Sequence, residues 1–331
     1  MTYRFGLLLL SAVTAAFFAA CQSDAPQETT TTSNTESATT LEIPRFDRDS
    51  AYSFVEAQVA FGPRVVNTDA HALTKEYLVG QLKKYGAQVE EQSFSVRAYT
   101  GDQLEATNII ARFQPALRRR ILFAAHWDSR HIADSPLNQG DQTAAVVGAD
   151  DGASGVAVLL EVARQLNGQL PEIGIDIVFF DAEDHGESDN PNSWGLGAQH
   201  FARNFQGQRP IYGVLLDMVG AKKARFPIEG YSRQYAPQVV SKVWRIARQL
   251  GYGSYFVEEN GAAITDDHYF INSIANIPMI DIIHRRTDTE TGFGAHWHTD
   301  QDDMGIIDRR TLRAVGQTVL TLIYREAAGT I

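Results

Sequence analysis

Acidic and histidine side chains recur in five separate segments of the chain, and these are side chains that bind metal ions. Three of the segments follow short apolar runs, at 121–125, 175–180 and 214–216. An open α/β sheet binds its ligands outside the carboxyl ends of its strands, so we expect these groups to gather at one edge. Carboxylate oxygens and imidazole nitrogens together suit zinc. The residues concerned are His126 and Asp128, Asp150 and Asp151, Glu183 and Asp184, Asp217, and His298.

The Asp150-Asp151 pair lies between small residues, just before a predicted helix at 153–167. Small neighbours let a metal ion approach the backbone closely, and a helix N-terminus tolerates negative charge. The alternative is that both aspartates merely cap the helix, which explains this segment equally well when it is taken alone.

Three acids follow the apolar run that ends at Phe180, namely Asp181, Glu183 and Asp184. A cluster of charges on a loop edge would explain them without any chemistry. The functional interpretation assigns one acid to the metal and its neighbour to proton transfer, because successive side chains at a strand end point in different directions.

Two histidines flank a tryptophan at 296–298, after a glycine-rich stretch, and this pattern indicates a pocket wall. Asp302 and Asp303, which follow, are expected in a solvated loop. Asp217 and the run 266–268 could each be a helix cap instead of a functional group. The functional interpretation therefore depends on all these segments occurring in order along one chain.

Apolar runs of strand length alternate with stretches of helical spacing along the chain. An almost continuously apolar strand such as 174–180 is typical of a sheet covered on both faces. We predict an α/β fold with a mixed, mostly parallel central sheet and helices on both faces. Helices are expected at 47–61, 70–85, 153–167, 195–204, 235–250 and 308–327, and strands at 87–96, 108–113, 120–125, 174–180, 211–217, 254–258 and 278–283.

Length and charge narrow the classes of protein that are possible. The 331 residues, 44% of them hydrophobic, are enough for one large α/β domain. The formal net charge of -11 argues against nucleic acid as a partner, because a nucleic-acid-binding protein needs a basic face.

The N-terminus has the features of an export signal. Arg4 precedes an apolar stretch at 6–18, and two alanines lead into Cys21, the single cysteine of the sequence. This cysteine resembles the lipidation site of bacterial lipoproteins; a plain secretory signal and a short anchor are the alternatives. We predict a signal peptide and lipidation site at 1–21, a flexible tether at 22–42 and one folded domain at 43–331. The protein would then be lipid-anchored on the periplasmic face of a bacterial membrane, outer or inner.

The order of these motifs resembles that of the zinc aminopeptidase family M28. Within that family, residues from about 49 to 324 look most like the glutaminyl cyclases (glutaminyl-peptide cyclotransferases) of animal type, or type II, which also occur in some Gram-negative bacteria. The most specific parts of the likeness are 215–220, 266–268 and 297–299. The resemblance implies a single catalytic domain.

The resemblance also implies that Asp151, Asp184 and His298 hold one zinc ion. There is one departure from the family pattern. The animal cyclases have two glutamates where this chain has Glu183 and Asp184. Aspartate is one methylene shorter, so either the zinc ion or the strand end must shift slightly, or the second ligand is not Asp184.

The remaining roles that the resemblance implies concern proton transfer and substrate binding. Glu183 matches the general acid and base. Asp217 and Asp266 match the acids of a hydrogen-bonded network beside it, with Asp267 as the alternative to Asp266. The aromatic walls of the substrate pocket would be Trp194 and Trp297.

By this resemblance, the enzyme would convert the N-terminal glutamine of peptides and exported proteins into pyroglutamate and release ammonia. The alternative is a two-zinc aminopeptidase, because all five metal positions of such an enzyme are filled. The cyclase is favoured by Trp297 directly before His298 and by the run 266–268. A non-catalytic, surface-binding lipoprotein is disfavoured, because the base and the metal ligands are all present. We expect a monomer, although nothing in the sequence fixes the oligomeric state.

Overall fold

The computed structural model describes residues 14–16 and 42–331. The predicted signal peptide at 1–21, with Cys21, and the tether at 22–42 lie outside the described residues, apart from 14–16 and Glu42. Residues 42–331 lie in one compact unit. Within the described part of the chain, no helix combines the length and the apolarity that crossing a membrane requires.

A six-stranded mixed sheet forms the centre of the fold, and two further strands pair separately. In chain order the strands are β1 (Gln88–Arg97), β2 (Gln103–Phe113), β3 (Arg120–His126), β4 (Gly174–Phe180), β5 (Gly213–Asp217), β6 (Phe226–Ile228), β7 (Phe256–Asn260) and β8 (Met279–Ile283). The sheet has the order β1-β2-β4-β3-β5-β8, with β6 paired to β7. The pairs β4–β3, β3–β5 and β5–β8 are parallel, whereas β1–β2 and β2–β4 are antiparallel. The predicted fold class is therefore confirmed.

Helices cover both faces of the sheet, as the apolar strands indicate. They are α1 (Arg48–Val59), α2 (Asp69–Lys84), α3 (Ala153–Gly168), α4 (Leu196–Arg203), α5 (Gly230–Tyr235), α6 (Pro237–Gln249), α7 (Asp267–Ser273) and α8 (Arg309–Ala327). Successive side chains of β3 enter two different cores: Phe123 packs in the core with α1, α3 and α8, while Leu122 and Ala124 pack in the core with α4 and α7. This alternation follows from the period of two along a strand.

The segment 230–249 differs from the sequence-based prediction of one helix at 235–250. It forms two helices, α5 and α6, which meet at Ala236. Pro237 explains the break, because proline has no amide hydrogen to continue α5 but fits the first turn of α6. The strand predicted at 254–258 is present as β7, but it lies outside the main sheet. Its partner β6 has only three residues and escaped the sequence pattern.

The carboxyl ends of the parallel strands meet along one edge of the sheet. His126 at the end of β3 is paired with Phe180 at the end of β4. Asp217 at the end of β5 is paired with Ile283 at the end of β8. This edge carries the candidate site, as the predicted strand ends indicate.

Candidate active site

Three buried side chains from distant segments converge at this edge. Asp151 precedes α3, Asp184 follows β4 and His298 lies in the loop before α8. Their ligand atoms all lie within 4.8 Å of one another. The Nε2 atom of His298 is 3.1 Å from Asp184 Oδ1 and 3.8 Å from Asp151 Oδ2. The structure thus brings together the three residues that the sequence analysis assigns to one zinc ion.

A zinc ion fits this cluster. Both carboxylate oxygens of Asp184 are buried, and neither has a hydrogen-bond partner among the described residues. Such a group is costly unless a cation or a donor compensates it. Two carboxylates and one imidazole are a three-ligand set that leaves zinc an open position for substrate. The shorter aspartate side chain therefore does not remove residue 184 from the cluster.

Asp134 orients His298. The Nδ1 atom of His298 lies 3.1 Å from Asp134 Oδ1, and Arg130 holds the same carboxylate with hydrogen bonds of 3.1 and 2.6 Å. Since an ionised carboxylate can only accept, Nδ1 donates and Nε2 is turned towards the other acids. Burial lowers the pKa of His298, but the charge of Asp184 and the hydrogen bond to Asp134 raise it to about 9. Asp134 and Arg130 were not predicted as site residues, because their loop carries no strand-end pattern.

Two buried carboxylates fix the backbone that carries the acids. Asp128 accepts hydrogen bonds from the amides of residues 183 and 184, both at 3.1 Å. Asp302 accepts from the amides of residues 150 and 151, at 2.7 and 3.0 Å. The expectation that Asp302 belongs to a solvated loop is wrong, because its exposed fraction is 1%. The polar residues beside Asp302 in the sequence favoured a solvent-exposed loop. The amides from which Asp302 accepts hydrogen bonds, however, lie about 150 residues away in the chain.

Asp150 and Asp151 do not cap α3. Gly152 is the N-cap residue, and among residues 42–331 no side chain accepts a hydrogen bond from the amides of the first turn. Asp150 instead accepts from the amide of Gly220 at 2.7 Å and lies 2.9 Å from His296 Nε2. The capping alternative is therefore wrong for this pair.

Glu183 is buried beside Asp266 and Asp267, with carboxylate oxygens of the three within 4.8 Å of one another. Burial raises the pKa of Glu183 well above its usual value; His126 opposes the rise and the two neighbouring carboxylates add to it. Asp266 does cap α7, accepting a hydrogen bond from the amide of Asp267 at 2.5 Å. It also lines the adjoining cavity, which Asp267 does not. Asp266 can both cap the helix and line the cavity, because capping uses only one of its two carboxylate oxygens.

His126 and Asp217 form a further cluster with Asp151. The Nε2 atom of His126 is 3.0 Å from Asp151 Oδ1 and 3.3 Å from Asp217 Oδ1. Together the three residues present another set of donor atoms suitable for a metal ion. Burial raises the pKa of Asp217 well above its usual value, although the hydrogen bond from His126 opposes it. A second group of possible metal ligands therefore lies beside the first, and Asp151 belongs to both.

A cavity of about 350 Å³ opens beside these residues. Trp194, Trp297 and Phe293 contribute its aromatic lining. Trp297 stacks on His298, with their ring centroids 3.7 Å apart. Trp194 also stacks on His298, with a distance of 6.0 Å between the ring centroids. Gly186 permits this place for Trp194, because a Cβ atom there would come within 2.1 Å of the indole ring. Both tryptophans predicted as pocket walls thus line the cavity.

The family to which the chain belongs follows from a comparison with known families. The model of peptidase family M28 matches residues 108–323, which include every residue of the clusters described above. The chain belongs to peptidase family M28.

Relatives of this M28 protein include glutaminyl cyclases. The glutaminyl-peptide cyclotransferase of Drosophila melanogaster is 28% identical over 275 residues, covering 75% of this chain and 73% of the relative. The solved structure of the glutaminyl cyclase of Bacteroides thetaiotaomicron, bound to N-acetylhistamine, is 48% identical in sequence and has a TM-score of 0.83. The match covers 86% of this chain and 99% of that one. A Zn-dependent exopeptidase from Parabacteroides distasonis is 49% identical, with the same TM-score and the same coverage. The zinc-dependent relative supports zinc as the metal of the cluster.

Three residues of the M28 site have a left-handed backbone that side chains rarely adopt. They are Ala182 (φ 51°) directly before Glu183, Met218 (φ 46°) directly after Asp217, and His298 (φ 54°). Each such conformation costs on the order of 1–3 kcal/mol and persists only where its surroundings enforce it. The strain therefore lies where the backbone turns sharply to present the acids and the imidazole.

Proposed function

We propose that this protein cyclises the N-terminal glutamine of peptides and exported proteins to pyroglutamate, releasing ammonia, with one zinc ion per chain. The observation that carries the proposal is one cavity that joins Trp297, stacked on His298, to Glu183 and Asp266. An aromatic wall beside a buried acid suits a small folded substrate that needs proton transfer. The glutaminyl cyclases among the relatives support the same reaction.

The reaction needs a proton to move from the attacking amine to the leaving group. The α-amino nitrogen bonds to the side-chain amide carbon, and the carbon–nitrogen bond to the amide NH2 breaks. Glu183 would take the proton from the attacking nitrogen and give it to the leaving one, so that ammonia departs. Burial raises its pKa well above the usual value, which makes Glu183 a stronger proton acceptor than an ordinary glutamate.

The other residues of the cavity would orient and polarise the substrate. Asp151, Asp184 and His298 would hold the zinc ion, which supplies Lewis-acid polarisation of the side-chain carbonyl when bound. Trp194 and Trp297 would hold glutamine in the folded pose that ring closure requires. Asp217 and Asp266 would complete the network of acids around Glu183.

A paired assay tests this proposal. Purified protein is given a Gln-peptide and, separately, an aminopeptidase substrate, with released ammonia measured and zinc quantified on the same sample. We expect ammonia and a pyroglutamyl product from the Gln-peptide and about one zinc ion per chain. Absence of ammonia from protein that contains zinc would refute the cyclase.

A two-zinc aminopeptidase is the second candidate function. The observation that favours it is the cluster of His126, Asp151 and Asp217 beside the first metal site. Two ions at such sites would activate a water molecule for peptide hydrolysis. Two zinc ions per chain together with release of N-terminal amino acids would support this candidate over the cyclase.

We further propose that Cys21 is lipidated and anchors the protein on the periplasmic face of a bacterial membrane. The support is the sequence alone: a short apolar stretch, two alanines and then the cysteine. Replacing Cys21 with serine should abolish incorporation of labelled fatty acid and move the protein from the membrane fraction to the soluble fraction. Unchanged membrane association and labelling would contradict the lipid anchor.

A further inference from the structure

The active-site cavity contains one positively charged side chain of the Lys or Arg type among the residues that the structure describes. Five carboxylates contribute to the lining, and Arg285, in the loop after β8, is the single arginine. Arg285 also lines a neighbouring groove of about 590 Å³, which has four basic residues, Lys223, Arg225, Arg285 and Arg286, against two acids, Glu259 and Asp288. It therefore lies where the cavity for glutamine adjoins a more basic surface.

The guanidinium of Arg285 is held in place by packing. Its central carbon lies 3.9 Å from the ring centre of Phe293, which also lines the cavity. On another side it approaches Gly292 so closely that a Cβ atom there would be 2.6 Å from Nη2. Stacking on an aromatic face leaves the N–H donors at the edge of the guanidinium available, and their fork matches the two oxygens of a carboxylate.

Arg285 has no carboxylate partner of its own within residues 42–331. Burial lowers its pKa, and Asp281 and Glu229 oppose this only through their charges. Burial also raises the pKa of Asp281 well above its usual value, and its Oδ2 atom lies 3.9 Å from His268 Nδ1. The oxygens of Glu229 are already occupied, since they accept hydrogen bonds from the amides of Tyr231, Ser232 and Ile264 and lie 2.9 Å from His268 Nε2.

We propose that Arg285 is a carboxylate-binding subsite for the residues that follow the N-terminal glutamine. Glutamine would occupy the acid-rich part of the cavity, and the rest of the peptide would pass Arg285 towards the neighbouring groove. The enzyme would then prefer substrates with an acidic side chain close behind the glutamine, or short peptides whose terminal carboxylate reaches the same place. This inference rests on the proposed cyclase function.

The test compares substrates that differ only in this charge. Cyclisation of Gln-Ala-NH2, Gln-Glu-NH2, Gln-Lys-NH2 and Gln-Ala with a free carboxylate is measured as kcat/KM. In the wild type we expect at least one carboxylate-bearing substrate to exceed Gln-Ala-NH2 by about fivefold or more, with Gln-Lys-NH2 the poorest. Gln-Glu-NH2 isolates the side-chain carboxylate, and the free dipeptide isolates the terminal one.

Variants then locate the preference. Arg285→Gln should bring the ratio of the preferred substrate to Gln-Ala-NH2 close to one, and Arg285→Lys should retain part of it, because lysine keeps the charge but not the fork. Arg112→Gln is the matched control: Arg112 forms a hydrogen bond of 2.7 Å with the exposed Glu90, lines neither the cavity nor the neighbouring groove, and should keep the wild-type ratio.

Two outcomes would overturn the inference. One is a wild-type enzyme that does not favour either carboxylate-bearing substrate. The other is an Arg285→Gln variant that lowers kcat/KM equally for all four substrates, which would mean that the arginine only supports Phe293. Failure of the proposed function is recognised separately, because the wild type would then not cyclise Gln-Ala-NH2 at all.

Discussion

Neighbouring acids in this site have different environments. Both Glu183 and Asp184 are held by the same carboxylate, that of Asp128, through their backbone amides. Their side chains then diverge, Glu183 towards Asp266 and Asp184 towards His298. A single short segment can therefore supply a proton carrier and a metal ligand, since the two side chains leave the backbone in different directions.

Glu183→Gln should leave zinc bound and reduce turnover. Glutamine has nearly the same shape but cannot carry the proton, so we expect kcat to fall by about 100-fold or more while zinc content is unchanged. Glu187→Gln, an exposed position in the same segment, is the control and should be neutral. Survival of full activity in the Glu183 variant would show that another group is the base.

Asp134→Asn should weaken metal binding without removing a ligand. Asp134 accepts from His298 Nδ1, and removing its charge leaves the imidazole less well oriented towards the cluster. We expect a loss of roughly 10–100-fold in zinc affinity, measured by competition with a chelator. Asp141→Asn, an exposed aspartate of the same loop, should bind zinc like the wild type. Equal affinity in the two variants would contradict an orienting role for Asp134.

At the scale of elements, Glu229 connects α5 and α7 with the loop at 263–266, which lines the cavity. It caps α5 through the amides of Tyr231 and Ser232, and it accepts from the amide of Ile264 in the loop that leads to Asp266. Its distance to His268 Nε2, in α7, is 2.9 Å. One buried carboxylate thus joins α5, α7 and the loop between β7 and α7.

Glu229→Gln should destabilise the protein in a manner that depends on pH. Burial raises the pKa of Glu229, but the hydrogen bond and charge of His268, with the backbone donors, lower it to about 2 from the usual 4.5. A lowered pKa contributes stability above the unfolded value, and that stability is lost as the pH falls from about 4.5 towards 2. We expect the variant to lose about 2–3 kcal/mol of unfolding free energy near pH 7 and less than half as much near pH 3.

Denaturant unfolding of the wild type and the Glu229→Gln variant at both pH values measures this difference. Glu259→Gln is the control, because Glu259 pairs with Arg225 at an exposed site, where ion pairs contribute little. A destabilisation by Glu229→Gln that is equal at both pH values would mean that shape, and not charge, is what the position requires.

At the scale of the whole molecule, the proposed zinc site connects segments that are far apart in the chain. Its ligands precede α3, follow β4 and precede α8, so an ion there would stabilise the folded state relative to the unfolded chain. Chelation should therefore abolish activity and also lower the Tm by several degrees, and added Zn²⁺ should restore both.

Matched variants separate the two effects of chelation. The Tm of Glu183→Gln should fall on chelation as that of the wild type does. Asp184→Ala should have the lower Tm before chelation, and its Tm should change little when the chelator is added. A wild-type Tm that does not change while measured zinc falls to zero would contradict a metal site that connects these three segments.

Much of the fold could be predicted because local pattern and global packing agree. The strand at 174–180 is almost continuously apolar because the sheet is covered on both faces, and the helix predicted to end at residue 85 is followed by Gly86, which has a left-handed backbone. The break between α5 and α6 at Pro237 and the three-residue strand β6 were not predicted. Each involves only a few residues, so the longer pattern around the break favours one continuous helix, and the pattern around β6 favours no strand. Convergence of the predicted site followed from topology, since parallel strands end at a common edge.

The sequence by itself determined the alternation of elements, the motif order and the residue types of the candidate site. Only the tertiary structure decided which polar groups meet. Asp302 reaches amides about 150 residues away, Asp134 meets His298 across 164 positions, and Asp266 rather than Asp267 borders the cavity. The physical reason is that these contacts depend on how loops cross the sheet edge, and loop paths leave no periodic pattern in the sequence.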